Sequence, residues 1–420
     1  VERLKIALLT MEYPPNVYGG LGVYSSELAR RFVKLGHEVC VFSMNPGGLP
    51  SYSIDDGVHV HRLKFVNATS ALKILVNDEL RSWGPGFRYL NDVLMYNVAS
   101  ALDVIKKMEL GGMRFDVVSV HDWLTAVAGM IIKDEVSDVP LVFHIHSTER
   151  GRNFGGGSPT VIALERACAE MADSIVTVSY AMRDYDLAPQ GFPMEKVRVV
   201  WNGVDAEKFS PARAPRELVR DVREKYAEPD GPLILFIGRF VRMKGVDKLI
   251  EAMPYVVREF PRARLLIVGK GDLRDHLLQL ANKLNVMGRV SLVDKFLSDE
   301  EKVAYYAACD VAVFPSLYEP FGIVALEAMA MERPVVVGAR GCSGLREIVI
   351  PSGADQCGVH VNPHDPKDIA WGISAVLSNP DRGRWMGING RRRVLENFTW
   401  DRTAMKTLEV YREVSKKLGR

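Results

Sequence analysis

One pattern runs through this chain twice and limits what it can fold into: short apolar, β-rich runs alternate with longer segments of helical period. Parallel strands covered on both faces read as unbroken apolar runs, and each needs a crossover helix to reach the next. In the first half, strands are expected at 4–10, 38–44, 116–120, 141–146, 174–178 and 197–201, and the first helix carries Leu28, Phe32 and Leu35 on one face. After Trp201 comes Asn-Gly-Val-Asp and a proline-punctuated polar stretch, and the pattern restarts. Strands follow at 233–237, 264–268, 290–293, 311–314, 335–337 and 359–361, with a helix at 248–259. The expected class is α/β: two doubly wound, Rossmann-like domains facing a cleft, spanning 1–205 and 206–398, with 202–215 as the hinge. A length of 420 residues suits two such domains. A last helix, 399–420, carries Ala404, Leu408 and Tyr411 as an apolar stripe that needs a surface, expected on the first domain.

Composition removes several function classes. A net charge of +2 gives no overall attraction to nucleic acid, so any anion site must be local. Five scattered cysteines (Cys40, Cys168, Cys309, Cys342, Cys357) argue against a disulfide framework or clustered zinc ligands and fit a reducing, cytoplasmic setting. The run 4–10 is too short for a signal peptide, and no stretch approaches the roughly 18 apolar residues of a membrane span. A count of only three glutamines (Gln190, Gln279, Gln356) hints at a thermophilic source.

Four segments at expected strand ends carry the chemistry. The loop Tyr13-Pro-Pro-Asn-Val-Tyr-Gly19-Gly20-Leu-Gly22 opens the first helix, so Gly19 and Gly20 admit two readings, an anion at a helix N-terminus or the steric need of a tight turn. Gly269-Lys-Gly-Asp-Leu-Arg274 also follows a strand, where a nucleotide near the backbone and a plain turn both fit; Arg274 displaces the third glycine of a dinucleotide fingerprint. Gly238-Arg239-Phe-Val-Arg-Met-Lys244-Gly245 sends two cations toward the end of a sheet, which suits a diphosphate, while solvated surface charge is the plainer reading. Ser316-Leu-Tyr-Glu319-Pro-Phe321-Gly322-Ile-Val-Ala-Leu-Glu327 puts two carboxylates around the amides of a helix start. Glu319 and Glu327 can each accept from a vicinal diol, or else cap the helix and pair with an arginine.

Taken together, the paired glycines, His121-Asp122-Trp123, Gly238-Arg239 with Lys244-Gly245, and Glu319-Pro-Phe-Gly with Glu327 resemble the retaining nucleotide-sugar glycosyltransferases of the two-domain B-type fold, group 1. His121-Asp-Trp and Phe143-His-Ile-His146-Ser-Thr-Glu-Arg-Gly-Arg152 look like glycogen and starch synthases. The resemblance implies a glycosyltransferase that moves glucose from UDP- or ADP-glucose to a glucan, with an acceptor-side first domain and a nucleotide-sugar-binding second domain. It implies that Arg239 and Lys244 hold the donor diphosphate, Glu327 the ribose hydroxyls and Glu319 the transferred sugar. Asp122 and His146 would line the sugar pocket, and Phe321 and Gly322 would offer main-chain amides; Gly238, Gly269, Gly19 and Gly20 complete the implied donor site. Where glycogen synthases commonly carry a lysine two positions before the paired glycines, this chain has Val17. Transferases that build trehalose, glycolipids or small glucosides share the remaining motifs.

No metal or other cofactor is expected. His144 and His146 would share one strand face, but no third ligand is evident, and His59 with His61 reads as packing or exposure. Asp184-Tyr-Asp186 falls at a helix start after Ser179, where residues two apart diverge, and reads as solvated. The glycine-rich segment 151–157 fits an acceptor-side lid presenting arginines and Phe154, or a disordered loop. Two rivals of other classes remain. A nucleotide-sugar epimerase of the same fold would change the sugar without an acceptor, and a glucan-binding protein would ignore the nucleotide.

Overall fold

The computed structural model describes residues 3–17, 19–64, 78–84 and 86–417; Tyr18 of the first glycine loop lies outside them. The chain forms two compact units, one of Val1–Val178, Asp186–Val200 and Thr403–Arg420, the other of Ser179–Tyr185 and Trp201–Arg402.

The first unit holds β1 (Lys5–Leu9), β2 (Glu38–Met44), β3 (Tyr52–Asp55), β4 (Val58–Leu63), β5 (Val117–His121), β6 (Leu141–Ile145), β7 (Ser174–Thr177) and β8 (Val197–Val199). They form one sheet in the order β3-β4-β2-β1-β5-β6-β7-β8. All pairs are parallel except β3 with β4 at the edge. The sequence reading missed this hairpin, although its signal was present. Asp56 and Gly57, both with positive φ, connect paired Asp55 and Val58, the two-residue turn that Asp-Gly favours. In the first helix, Gly20–Lys34, Leu28 and Phe32 are buried, but Leu35 is the exposed C-cap rather than part of the apolar face.

The second unit holds β9 (Leu233–Ile237), β10 (Arg264–Gly269), β11 (Val290–Asp294), β12 (Val311–Phe314), β13 (Val335–Gly338) and β14 (Gly358–Val361), all parallel, ordered β11-β10-β9-β12-β13-β14. The β9 and β12 strands are wholly buried, as their continuous apolar sequence requires. Helix Val246–Glu259 turns Val246, Leu249, Ile250, Met253 and Val256 into the core, a spacing of three and four.

Strand order reverses once in each sheet, between β1 and β5 in the first and between β9 and β12 in the second. Diverging crossovers leave a crevice at the carboxyl ends of those strands, where open α/β sheets take ligands. The loops after β1, β5, β9 and β12 all carry sequence motifs, while the Gly269–Arg274 turn follows β10 and His146 follows β6.

The C-terminal helix, Trp400–Lys417, docks as its stripe requires. Within the first unit Tyr411 lies 5.8 Å from the Phe32 ring, and the Ser415 hydroxyl donates to the Asp116 carbonyl at 2.8 Å. Among the described residues, no helix is long and apolar enough to cross a membrane.

Candidate functional site

In the second unit, the β9 and β12 loops meet because Gly245 lets them. Its φ is +65°, and a Cβ there would stand 2.1 Å from the Pro315 carbonyl oxygen, so no other residue fits without moving backbone. The contact brings the Lys244 ammonium to the Glu319 carboxylate, Nζ to Oε2 at 2.5 Å. The Ser316 hydroxyl donates to the same oxygen at 3.1 Å. The Glu319 backbone is also held: its amide donates to Cys342 and its carbonyl accepts from Gly344. Its Oε1 has no hydrogen-bond partner among the described residues.

Arg239 differs from Lys244: its residue is exposed and forms no ion pair among the described residues. Among the described residues, the loop after β9 therefore carries a guanidinium without an ion pair and a lysine already shared with a carboxylate. A dianionic diphosphate is the sort of group that would satisfy both.

Gly269 answers one of the two open readings. Its φ is +152°, and a Cβ would lie 1.9 Å from the Gly238 carbonyl oxygen, so backbone packing alone accounts for the glycine. That packing places the 269–273 turn against the Arg239 loop, where the Phe240 amide donates to the Lys270 carbonyl at 2.8 Å. A Cβ on Gly238 would meet the Phe236 ring.

Glu319 does not cap the following helix. Gly322 is the N-cap of Ile323–Ala330, and the amides of Phe321 and Gly322 make no hydrogen bond among the described residues. These amides are open donors at a helix start. The Phe321 ring is buried, 6.1 Å from that of Phe398. Glu327, also buried, accepts from Lys302 at 2.9 Å and from the Tyr306 hydroxyl at 3.0 Å. Its partner is a lysine rather than the arginine anticipated as the plainer reading. Burial works most strongly against the Lys302 charge, but the Glu327 and Asp299 carboxylates together outweigh it and raise the lysine's pKa.

In the first unit the helix after β1 begins at Gly20, and the Gly19 amide donates to Glu12 Oε2 at 3.1 Å. The Gly19 amide is thus engaged by a carboxylate of the same chain. A Cβ on Gly19 or Gly20 would meet nothing within 4 Å, and neither has positive φ, so steric need does not explain the pair.

After β5 the chain turns at once into helix Asp122–Glu135, and Asp122 itself sits at φ +51°, a costly conformation for a residue with a side chain. Its Oδ1 accepts from the His146 amide at 2.7 Å and faces that of Ser147 at 3.4 Å, which ties the β5 end to the β6 end. Asp122 and His146 are therefore adjacent. The missed neighbour is His121. In the parallel register His121 stands opposite His144, and the ligand nitrogens of His121, His144 and His146 all lie within 4.8 Å of one another. This corrects the expectation that the His144–His146 pair has no third histidine nearby; the pairing of β5 with β6 was the signal that would have supplied it.

The three imidazoles stack, with interplanar angles of 15° to 28°. Their nitrogens have protein partners: His121 Nδ1 to His146 Nε2 at 3.2 Å, His121 Nε2 to Ser119 at 3.2 Å, and His144 to Tyr24 and Tyr411 at 3.2 and 2.9 Å. Burial depresses all three pKa values; the facing His144 and His146 add to this for His121, and Asp122 opposes it only for His146. Burial thus favours the neutral form of each ring.

The segment 151–157 is built around Glu149. That carboxylate binds Arg152 at 2.9 Å and accepts from the Ser158 amide at 3.0 Å, so Arg152 is engaged and not free for a glucan, while Phe154 is exposed. Beneath it, burial pushes the Glu165 carboxyl up to about 8, against the pull of Arg152. A cavity of about 450 Å³ opens beside the loop, lined by Trp83, Trp123, Glu79, Glu149 and Ser158. The carboxylates of Asp184 and Asp186 diverge: Asp184 pairs with Arg183 at 2.7 Å, but Asp186 is buried and accepts from Thr148 at 3.0 Å and Gln190 at 2.7 Å, so the solvated reading fails for it.

Comparison with known proteins accords with this geometry. The family described as glycosyl transferases group 1 matches residues 219–393, and glycosyltransferase family 4 matches residues 18–208. An uncharacterized glycosyltransferase of Methanocaldococcus jannaschii is 34% identical over 99% of this chain and 100% of its own. A glycogen synthase of Mycobacterium tuberculosis is 32% identical, covering 97% of this chain and 94% of its own. The structure of a sucrose-phosphate synthase from Thermosynechococcus elongatus superposes with a TM-score of 0.78 at 24% identity, covering 99% of this chain and 100% of the other. The chain belongs to the group 1 glycosyltransferases, has their B-type fold, and resembles the glycogen synthases among them.

Proposed function

We propose that the protein is a retaining glycosyltransferase that moves glucose from UDP- or ADP-glucose to a glucan, as a glycogen synthase does. The observation that carries this reading is the pair of cations in the loop at the switch point of the second sheet, Arg239 without an ion pair among the described residues and Lys244 held by Glu319, in a chain 32% identical to a glycogen synthase. The second unit takes the donor. Arg239 and Lys244 bind the diphosphate and stabilise it as it leaves, Glu327 takes the ribose hydroxyls, and Glu319 Oε1 and the Phe321 and Gly322 amides hold the transferred sugar. The first unit takes the acceptor. Its Asp122 and His146 orient hydroxyls of the sugar, and the cavity with Trp83 and Trp123 offers apolar faces with carboxylates beside them, a lining suited to a saccharide.

In the proposed step the bond from the anomeric carbon to the phosphate oxygen breaks while the acceptor oxygen bonds from the same face. The departing phosphate oxygen takes the acceptor's proton. Charge stabilisation is assigned to the two cations, so dialysis against a chelator should leave turnover unchanged. Five buried free cysteines support a reducing, cytoplasmic setting. The test is a panel of nucleotide sugars assayed for nucleoside diphosphate release, with and without glycogen, maltooligosaccharides and glucose. Acceptor-dependent release with an α-linked product supports the reading. Conversion of the sugar without an acceptor supports the epimerase, and binding of glucan with no use of any nucleotide sugar supports a binding protein.

A further inference from the structure

The Ser179 hydroxyl has one proton, and its two neighbours fix where that proton goes. The Met182 amide donates to Oγ at 2.9 Å, so the oxygen is an acceptor there; the Pro320 carbonyl oxygen, 2.6 Å away on the other side, can only accept. Ser179 therefore donates to Pro320, across 141 positions of sequence. Both residues are buried and both belong to the second unit, which takes in Ser179–Tyr185 although the residues on either side of that segment belong to the first.

The segment is held by one carboxylate. Glu347, in the short helix Leu345–Ile348, accepts from the Tyr180 amide at 3.1 Å, the Ala181 amide at 2.6 Å and the Trp201 indole N–H at 2.7 Å. Its own backbone is fixed in turn, because Arg393 donates to the carbonyls of Glu347 and Ile348 at 2.7 Å each.

A carbonyl and the amide that follows it share one rigid plane and, in a trans peptide, point in opposite directions. Holding the Pro320 oxygen therefore aims the Phe321 N–H. Gly344 closes the loop from another side: its amide donates to the Glu319 carbonyl at 2.8 Å, and a Cβ there would stand 2.4 Å from the Pro320 oxygen. With the Glu319 amide on the Cys342 carbonyl, every main-chain polar group of Glu319 and Pro320 is bonded. Within 319–322, the Phe321 and Gly322 amides are the open donors among the described residues.

We infer that Ser179 is a positioning residue for the donor site: by holding the Pro320 carbonyl it aims the Phe321 amide at a hydroxyl of the transferred sugar, and Glu347 keeps Ser179 in place. That the amide meets a sugar rests on the proposed transferase reading; the hold on the loop does not.

The test begins with amide hydrogen exchange on the full chain, read by mass spectrometry for the peptide spanning 315–324, with helix Val246–Glu259 of the same unit as internal reference. In Ser179→Ala the loop peptide should exchange about threefold faster or more while the reference helix keeps its rate. Ser179→Thr, which keeps a hydroxyl, should return it toward the wild-type rate, and Arg183→Ala, on the same segment but bonded to Asp184, should change nothing. Glu347→Gln, left with one acceptor oxygen for three N–H groups, should act as Ser179→Ala does. An unchanged loop in Ser179→Ala, or a rise shared equally by the reference helix, overturns the inference; an unchanged loop in Glu347→Gln overturns the part given to Glu347.

Calorimetric titration with UDP, ADP, UDP-glucose and ADP-glucose gives the second readout. Ser179→Ala should bind the preferred nucleoside diphosphate within about twofold of the wild type, and its glucose ester about three- to tenfold more weakly, the loss of one hydrogen bond. Equal weakening of both would contradict the aiming of the amide at the sugar. A loop loosened by Ser179→Ala in a chain whose wild type binds no nucleotide sugar would count against the transferase reading alone.

Discussion

Lys244 and Glu319 form an ion pair inside a site that both are proposed to serve, and a double-mutant cycle separates the two roles. Their side chains keep 18% and 10% of their exposure, between the open pairs that contribute under about 1 kcal/mol and the buried ones that cost about 3–5 kcal/mol when broken. Lys244→Met leaves the Glu319 carboxylate with Ser316 as its one side-chain donor among the described residues, and should cost about 2–3 kcal/mol of stability. Glu319→Gln leaves a lysine that can swing toward water, and should cost about 1–2 kcal/mol. In the double variant neither charge is stranded, so the loss should be about 1–2 kcal/mol, a coupling of roughly 2 kcal/mol. Turnover should behave differently. A charge-assisted bond to phosphate is worth about 1.5–3 kcal/mol, so Lys244→Met should lower kcat/KM by about 10- to 100-fold, and the double variant should recover stability without recovering rate. Urea denaturation and diphosphate release measure the two quantities on the same preparations. A coupling below about 0.5 kcal/mol would show that the pair does not form in solution. Recovery of rate in the double variant would show that Lys244 serves only to neutralise Glu319.

Other outcomes follow from the same geometry. Histidines 121, 144 and 146 have depressed pKa values, and His61 falls to about 4, so the unfolded chain binds more protons than the native one below pH 6.5. Their contribution is complete above that pH and is lost as pH falls; the stability measured by denaturation should drop by up to about 1.4 kcal/mol per pH unit for each ring between pH 6 and 5. A flat profile there would mean that the rings are protonated in the native state. Gly269→Ala should unfold or destabilise the second unit by about 3 kcal/mol or more, because its Cβ would collide with the Gly238 carbonyl. Gly20→Ala meets nothing and should leave the melting temperature unchanged or slightly higher, so a raised KM for donor in this variant would assign that glycine to ligand approach.

How much of this was legible in the sequence depended on whether the cause was local. Strands β2, β9 and β12 run over the residues their apolar runs marked, and the C-terminal stripe found its surface, because burial on both faces or on one stripe leaves a periodic trace. The hairpin at Tyr52–Leu63 was missed despite a local signal, since its polar edge strand has no apolar run. Motif residues such as Arg239, Lys244 and Glu319 stood out by type and spacing. Their pairing did not, because Lys244 and Glu319 are 75 positions apart and meet only through strand order and the absence of a side chain at Gly245. The Glu12 carboxylate on the Gly19 amide, Lys302 on Glu327 and the histidine stack are likewise tertiary facts. Nothing in the residues around His146 announces Tyr411.

The central claim is that Arg239 and Lys244 grip a nucleoside diphosphate at the switch point of the second sheet. Calorimetric titration of UDP and ADP into the wild type and Arg239→Gln tests it directly, since Arg239 is exposed, has no ion pair among the described residues, and its loss should not disturb folding. The account predicts that one of the two nucleotides binds the wild type and that the substitution weakens it by about tenfold or more. Equal affinity in both proteins, with an unchanged melting temperature, would contradict it.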